Sequence, residues 1–230
     1  MLYKKLILNN IDRTKKIIAD ISSGKEFSYA ELHNLVKDTA VKFASYNLKA
    51  GDRVVIQNDN TIFTVVNILA CVYMGLCFIP VSNSESREYI DYIIDNSACS
   101  LAVLKDSIKK FSPKIQSVPL NETHEKLIYI IYTSGSTDMP KGVIAPEKQV
   151  IFCIETISAC LGYTDNDRIL CCLPLSFDYG LYQLFMSLYS GAALILVRNT
   201  GSSIQTLPAV LVKTCCYCFT SCPLNVKCTY

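Results

Sequence analysis

The chain has 230 residues, which is enough for one or two domains with a buried core. Half of the residues are hydrophobic and only 18% are charged, so the composition excludes an intrinsically disordered chain. A formal net charge of +2 excludes the strong basic excess of a nucleic-acid-binding protein, and we expect no nucleic-acid partner.

The first residues do not have the pattern of a secretory signal peptide. Lys4 and Lys5 precede only a short apolar run at positions 6–8, whereas a signal peptide needs about 7–15 apolar residues. We therefore expect a cytoplasmic protein in which the 12 cysteines are reduced thiols rather than disulfides.

The first part of the chain predicts helices that alternate with strands. Ser28 and Glu31 have the spacing of a capping box, which predicts a helix from there to about Tyr46. Its predicted buried positions recur at near-helical spacing and are Leu32, Leu35, Val36, Val41 and Phe43. We further predict a turn at 49–52, a strand at 53–56, a helix at 86–96 and a strand at 100–104.

Residues 61–81 form an uncharged segment that is long enough to span a bilayer. Gly75 and Pro80 interrupt it, and polar residues stand at positions 61, 64 and 67. We therefore expect a buried helix that ends near Gly75, followed by a short strand at 77–81. A membrane span over this segment is the alternative, which we do not favour.

The second part of the chain continues the alternation after a predicted connector at 105–126. The predicted elements are strands at 127–132 and 142–145, a helix from Pro146 to about Cys160, a strand at 169–173, a helix at 179–189, a strand at 192–197 and a helix at about 203–213. This alternation indicates an α/β fold in which helices cover a mostly parallel sheet.

A polar loop at 133–142 separates the two strands that follow the connector. It contains four hydroxyl side chains, two glycines and Lys141, a set that suits a polyphosphate. A plain Ser/Thr turn in a hairpin is the alternative. A Walker A loop fits poorly, because Pro140 replaces its second glycine although Gly135 and Lys141 have the right separation.

The string from Tyr132 to Val143, YTSGSTDMPKGV, resembles the phosphate-binding signature of the AMP-forming adenylating enzymes. That superfamily comprises acyl-CoA synthetases, peptide-synthetase adenylation domains and luciferases. Segments at 27–32, 48–54, 69–81 and 173–180 resemble further family motifs and occur in the family order. The resemblance covers about residues 20–210 and implies layered βα subdomains of the large N-terminal domain, with residues 1–213 as a partial adenylation domain.

The resemblance implies ATP-dependent activation of a carboxylic or amino acid to an acyl-adenylate, with ATP and Mg²⁺ as cofactors. The acyl group then passes to a thiol of CoA or of carrier-protein pantetheine. The implied phosphate-binding residues are Thr133, Ser134, Gly135, Ser136, Thr137 and Lys141, and the implied substrate-binding residues are Phe177 and Asp178. Asp178 would pair with a substrate ammonium; a role as a helix N-cap is the alternative.

Two departures from the family pattern put activity in doubt. Asp138 stands where the family usually has Gly or Ser, so we expect weakened nucleotide affinity. Residues 179–230 contain no Asp or Glu, so the family's ribose-binding Asp and metal-binding Glu are missing, as is its C-terminal lysine motif. We assign no catalytic or metal residue and expect the lone chain to be inactive. A non-catalytic remnant, or half of a split enzyme with a complementing C-terminal half, is the alternative.

Residues 214–230 form an atypical cysteine-rich tail with five cysteines. Their spacing is C-C-x-C followed by gaps of three and five residues, with no nearby histidine, so it fits a zinc site poorly. We interpret the tail as the product of a shifted reading frame or an early stop.

Overall fold

The computed structural model describes residues 1–9, 12–112, 125–133 and 139–198, together with the backbone of 217–218. A short helical turn of π type at Lys4–Leu8 precedes the other elements. The strands are β1 (Lys16–Asp20), β2 (Lys25–Ser28), β3 (Arg53–Asn58), β4 (Cys77–Ser82), β5 (Leu101–Val103), β6 (Ile108–Lys110), β7 (Leu127–Thr133), β8 (Lys141–Pro146), β9 (Arg168–Cys171), β10 (Ala193–Leu196) and β11 (Tyr217–Cys218). The helices are α1 (Tyr29–Ala44), α2 (Ile62–Met74), α3 (Arg87–Asn96), α4 (Glu147–Leu161) and α5 (Asp178–Ser190).

The strands form two sheets. The six-stranded sheet has the order β6-β5-β3-β4-β7-β8, and the four inner strands are parallel while β6 and β8 are antiparallel at the edges. The five-stranded sheet has the order β11-β9-β10-β1-β2, with only β2 antiparallel among its described strands. The predicted α/β class with two layered subdomains is confirmed.

Four helices fill the space between the sheets. Val54 and Ile56 of β3 belong to the large core that also contains apolar residues of α1, α2, α4 and α5. Val55, between them, belongs to a second core with Ile90 and Ile93 of α3. Because successive strand residues point to opposite faces, α3 must cover the outer face of the six-stranded sheet.

Helix ends form where the sequence predicts them. Ser28 and Glu31 make both hydrogen bonds of the capping box at the start of α1, which is confirmed. Gly75 adopts a left-handed conformation with a φ of 74° and ends α2. Pro146 is the N-cap residue of α4, one position before the first turn where we expected it.

The uncharged segment at 61–81 is a helix followed by a strand, as predicted. Nine consecutive residues of α2, positions 64–72, are buried, because this helix packs between the two sheets. Its apolar composition on every side therefore reflects a central position in the fold. Within the described residues, no helix is both long enough and apolar enough to cross a membrane.

The elements differ from the predictions in three places. Leu35 and Val41 are exposed, because the buried stripe of α1 runs through Leu32, Val36 and Phe43. Within the predicted connector at 105–126, residues 108–110 form β6, which pairs with β5. The strands β1 and β2 were not predicted. The helix expected at 203–213 lies outside the described residues, and of the tail the structure describes only β11, which pairs with β9.

The segment from Asn58 to Ile62, between β3 and α2, connects the two sheets; we call it the junction segment. The buried Asp20 at the end of β1 accepts a hydrogen bond from the Ile62 backbone N–H at 3.1 Å. Asp59 forms an ion pair with Arg198, which follows β10, also at 3.1 Å. The carboxyl ends of strands from both sheets therefore meet at this segment.

Candidate functional site

A cavity of about 630 Å³ lies beside β7 and β8 and the first turns of α4 and α5. Alternate residues of β7, namely Tyr129, Ile131 and Thr133, contribute to its wall. The cavity therefore extends to the carboxyl end of a parallel strand, where ligands of α/β proteins commonly bind.

The described part of the phosphate-loop prediction consists of Thr133 and Lys141. They are cross-strand partners at the ends of β7 and β8, and the Thr133 hydroxyl donates a hydrogen bond to the Lys141 carbonyl at 3.5 Å. Both residues are exposed, so a hydroxyl and an ammonium are accessible at the base of the loop. Thr133 lines the cavity, whereas Lys141 does not. Ser134, Gly135, Ser136 and Thr137 lie outside the described residues.

Helix α3 supports both arms of the hairpin that carries the loop. Tyr92 donates a hydrogen bond to the Pro140 carbonyl at 3.1 Å. Tyr132 donates one to the Asn96 side-chain oxygen at 2.7 Å. Burial raises the pKa of Tyr132, so its hydroxyl stays protonated and able to donate at neutral pH. These two contacts fix the positions at which the chain enters and leaves the loop.

Phe177 and Asp178 line the same cavity as Thr133. Asp178 is the first residue of α5, and its side-chain oxygen accepts a hydrogen bond from the Tyr179 backbone N–H at 2.8 Å. The N-cap position belongs to Phe177, which makes no side-chain capping bond. The N-cap interpretation of Asp178 is therefore wrong by one residue, and its exposed carboxylate lies at the positive end of the helix dipole.

The sequence did not identify a tyrosine pair in the cavity wall. The side chains of Tyr129 and Tyr182 interact with each other, and that of Tyr182 also interacts with Cys153. Burial raises the pKa of both tyrosines, so both hydroxyls stay protonated at neutral pH. The signal for Tyr182 was its spacing, since it follows Asp178 by one helical turn and faces the same side.

The described lining of the cavity carries negative charge only. Glu85 and Asp178 are its charged residues, and it contains no lysine, arginine or histidine. The wall also contains four tyrosine rings and Phe177. Carboxylates combined with aromatic rings favour a cationic group in the ligand. Within the described ranges, no three His, Cys, Asp or Glu side chains are grouped as metal ligands would be.

Comparison with known proteins agrees with this geometry. The profile of the family described as "AMP-binding enzyme" matches residues 9–224, which is most of the chain. The chain belongs to the AMP-binding enzyme family. The resemblance read from the motifs is therefore confirmed, and the matched range extends into the cysteine-rich tail as far as residue 224.

Sequence relatives in this family include large synthases. The chain is 28% identical over 206 residues to the anguibactin system regulator of Vibrio anguillarum, which covers 83% of this chain and 20% of that protein. It is 26% identical over 204 residues to surfactin synthase subunit 2 of Bacillus subtilis, covering 81% of this chain and 6% of the relative. The chain thus spans a small fraction of these curated relatives.

Solved structures in the family share the fold. VinN in complex with L-aspartate has a TM-score of 0.73 at 23% identity, over 85% of this chain and 57% of VinN. MatB from Rhodopseudomonas palustris has a TM-score of 0.76 at 19% identity, over 92% of this chain and 47% of MatB. These likenesses confirm the fold of the N-terminal domain of AMP-forming ligases.

Proposed function

We propose that this chain forms the acid- and phosphate-binding part of an enzyme that activates an amino acid with ATP. One observation carries the proposal: a single cavity joins Thr133, at the base of the phosphate loop, to the Asp178 carboxylate at the start of α5. If Asp178 binds the ammonium group of an amino-acid substrate, the carboxylate of that substrate would point away from the acidic wall and towards the phosphate loop.

An amino acid fits this cavity better than a fatty acid. The acidic and aromatic lining suits an ammonium group, whereas an aliphatic chain would make no ion pair with Asp178 or Glu85. The relatives add support, since several are peptide synthase subunits and VinN has been solved with L-aspartate and with 3-methylaspartate.

The phosphate end would be formed by Thr133, Ser134, Gly135, Ser136, Thr137 and Lys141. The amino-acid carboxylate would attack the α-phosphate of ATP with pyrophosphate as the leaving group, and Mg²⁺, when bound, would neutralise charge on the phosphates. Lys141 is exposed beside the loop and would neutralise charge on the phosphates. The Thr133 hydroxyl would turn from the Lys141 carbonyl to donate a hydrogen bond to a phosphate oxygen. Asp138 adds a repulsive charge at this end and would weaken nucleotide binding.

The product of this step is an acyl-adenylate, which the family passes to a thiol of CoA or of carrier-protein pantetheine. The acceptor for this protein is therefore one of these two thiols. In the same proposal, residues 1–213 are the adenylation part and 214–230 are an appended tail.

Amino-acid binding to the purified chain tests the substrate half of the proposal. A calorimetric panel of amino and fatty acids should detect an amino acid, and Asp178→Asn should weaken its binding about tenfold to hundredfold, the cost of a charge-assisted contact. Glu85→Gln is the matched control, since it removes another carboxylate of the same cavity and should have a smaller effect. Binding of a fatty acid alone, or equal effects of the two variants, would contradict the proposal.

ATP–pyrophosphate exchange tests the catalytic half. We expect no exchange from the 230-residue chain by itself, because residues 179–230 offer no carboxylate for the ribose or the metal. Robust exchange would show that the ribose and metal are held by other means.

Exposed apolar side chains on β8, α4 and α5 favour a second candidate, in which further polypeptide completes the site. Val143, Phe152 and Tyr179 are each more than half exposed. Where such side chains form one contiguous patch, a partner surface usually covers it. The chain would then act as one half of a split enzyme, and exchange should appear only when it is co-expressed with a polypeptide that carries the later family motifs.

A further inference from the structure

The junction segment contains a buried asparagine with an unusual backbone conformation. Asn60 is fully buried and adopts a φ of 55°, in the left-handed region that side-chain-bearing residues rarely occupy. Asparagine tolerates this region better than most residues, but glycine adopts it at a lower steric cost. The conformation alone therefore does not explain an asparagine side chain at this position.

The Asn60 amide makes two hydrogen bonds to the loop that leads into α5. Its Nδ2 donates to the Leu173 carbonyl at 2.8 Å. Its Oδ1 accepts from the Leu175 backbone N–H at 2.9 Å. Because one atom must donate and the other must accept, these two partners fix which way the amide points. Residues 173–177, which we call the presenting loop, end at Phe177, directly before Asp178.

Asn58 holds the Asn60 side chain in place. The Asn58 Nδ2 donates to the Asn60 Oδ1 at 3.1 Å, and the Asn60 backbone N–H donates to the Asn58 Oδ1 at 2.9 Å. Asn58 is the last residue of β3 and is also buried. The six-stranded sheet therefore controls the position of the Asn60 amide directly.

The presenting loop is confined on its other side by α5 itself. A Cβ atom on Gly180 would lie only 2.3 Å from the Pro174 carbonyl oxygen, so the two backbones are in direct contact. The Phe177 backbone N–H donates to the Pro174 carbonyl at 3.0 Å and closes the loop into a turn. The loop is thus held by α5 on one side and by the Asn60 side chain on the other, so loss of the Asn60 hydrogen bonds would free one side of it.

We propose that Asn60 is a positioning residue that sets the place of the Asp178 carboxylate in the cavity through the presenting loop. β7 and β8 of the six-stranded sheet form one wall of the cavity, whereas Asp178 follows a strand of the five-stranded sheet. Asn60 connects these two parts by its side chain, so it fixes the distance between Asp178 and the opposite wall. The functional consequence rests on the proposed amino-acid activation; the structural role does not.

Amide hydrogen exchange tests the structural role without any ligand. In Asn60→Gly, which keeps the left-handed backbone without strain, exchange at Leu175 and Phe177 should become about tenfold faster. Asn47→Gly is the matched control, since Asn47 has a φ of 58° but is exposed and lies far along the chain from this loop. Unchanged exchange in Asn60→Gly, or the same acceleration in Asn47→Gly, would overturn the proposal.

A milder variant covers the case in which Asn60→Gly does not fold. Asn60→Asp keeps the size and the acceptor for Leu175 but removes the donor to Leu173. A Phe177→Trp background gives the chain a single tryptophan, at a position that is already exposed. Its fluorescence anisotropy should fall in the Asn60→Asp variant, because the presenting loop is held less firmly. Anisotropy that matches the Phe177→Trp protein alone would count against the positioning role.

Amino-acid binding separates the two proposals. If the wild-type chain binds an amino acid, Asn60→Gly should weaken binding about tenfold while Asn47→Gly leaves it unchanged. If the wild-type chain binds none, the proposed function fails, and faster exchange at Leu175 still supports the positioning role. Full affinity in Asn60→Gly would overturn that role even if the loop exchanges faster.

Discussion

Gly180 lies where two backbone segments pack directly against each other beside the candidate site. The three atoms nearest to a Cβ at this position are backbone atoms of Leu173 and Pro174, all within 2.8 Å. Backbone atoms cannot rotate away as a flexible side chain can, so the position excludes any side chain. Glycine is therefore required at position 180 because the backbone of Leu173 and Pro174 comes so close, and not because of a positive φ.

Gly180→Ala should lower the free energy of unfolding by about 1–3 kcal/mol, as overpacking in a core does. Urea unfolding followed by circular dichroism measures this. Gly162→Ala serves as the control: it meets no atom within 4 Å but has a φ of 65°, so it should cost only about 1 kcal/mol of backbone strain. If Gly180→Ala lowers the free energy of unfolding no more than Gly162→Ala does, the contact with Pro174 does not require glycine at position 180.

Side-chain hydrogen bonds at its first turn determine where helix α1 begins. At the start of α1, the Ser28 hydroxyl accepts from the Glu31 backbone N–H, and the Glu31 carboxylate accepts from the Ser28 backbone N–H at 2.7 Å. Each bond satisfies a polar group that the helix backbone leaves free. The capping box therefore fixes where β2 ends and α1 begins.

Ser28→Ala should lower the free energy of unfolding by about 1 kcal/mol, because it removes the acceptor for the Glu31 N–H. Thermal or urea unfolding is a sufficient measurement. Ser45→Ala at the other end of α1 is the matched control, since this exposed hydroxyl only donates to the Lys42 carbonyl. The control should cost less than 0.5 kcal/mol, roughly the limit for surface substitutions, and an equal cost for both variants would argue against the capping role.

Glu147, the first residue of α4, binds the start of the chain and Lys126 through its carboxylate, so its contribution to stability should depend on pH. Burial alone would raise the pKa of Glu147, but hydrogen bonds from the Leu2 N–H, the Met1 ammonium and Lys126 outweigh it and lower the pKa to about 2. A carboxylate with a lowered pKa stabilises the fold above its usual pKa of about 4.5, and this contribution is lost as the pH falls towards 2.

Wild-type protein should therefore lose more stability than Glu147→Gln between pH 5 and pH 2.5. We expect a difference of about 1 kcal/mol, since solvent partly screens these contacts. Urea unfolding at several pH values measures it. Glutamine keeps an acceptor for the Leu2 N–H but does not titrate, so parallel pH profiles for the two proteins would rule out this role for Glu147.

The whole molecule depends on how its two sheets are joined. The Asp20 carboxylate is buried, and one oxygen accepts from Ser22 while the other accepts from the first N–H of α2. Asp20 belongs to one sheet and α2 follows a strand of the other, so this side chain stabilises their arrangement as well as a local turn.

Asp20→Ala should lower the free energy of unfolding by about 2–3 kcal/mol, because two partly buried hydrogen bonds lose their charged acceptor. Asp12→Ala is the matched control: Asp12 makes the same kind of turn with Thr14 and Lys15 but is exposed and makes no contact between the sheets. The control should cost below about 1 kcal/mol. Equal losses would mean that the Asp20 contact to α2 contributes nothing.

Much of the fold could be predicted because its signals are local. The helix at 61–75, the strand after it and the hairpin around the phosphate loop depend on nearby glycines, apolar runs and turn residues. The pairing of β1 with β10 has no local signal, since Ile18 and Leu194 are far apart in the chain. The exposure of Leu35 was missed for the same reason, because the packing of α1 decides which of its residues are buried.

For the candidate site, motifs identified the residue types but not their arrangement. Thr133, Lys141, Phe177 and Asp178 were predicted from two separate segments, and the cavity joins three of them but not Lys141. Tyr129, Tyr182 and Glu85 belong to the same wall without belonging to any motif. Their role in the wall depends on how β7, α3 and α5 pack together.

The sequence by itself determined the family and the α/β class, because a specific string of residues and short-range capping signals suffice for these, and it predicts the phosphate loop. Only the tertiary structure decided that α2 lies between the two sheets, that Asp178 is the first residue of α5 rather than its cap, and that Asn60 connects the sheets. These features depend on contacts between residues far apart in the chain, which no local pattern specifies.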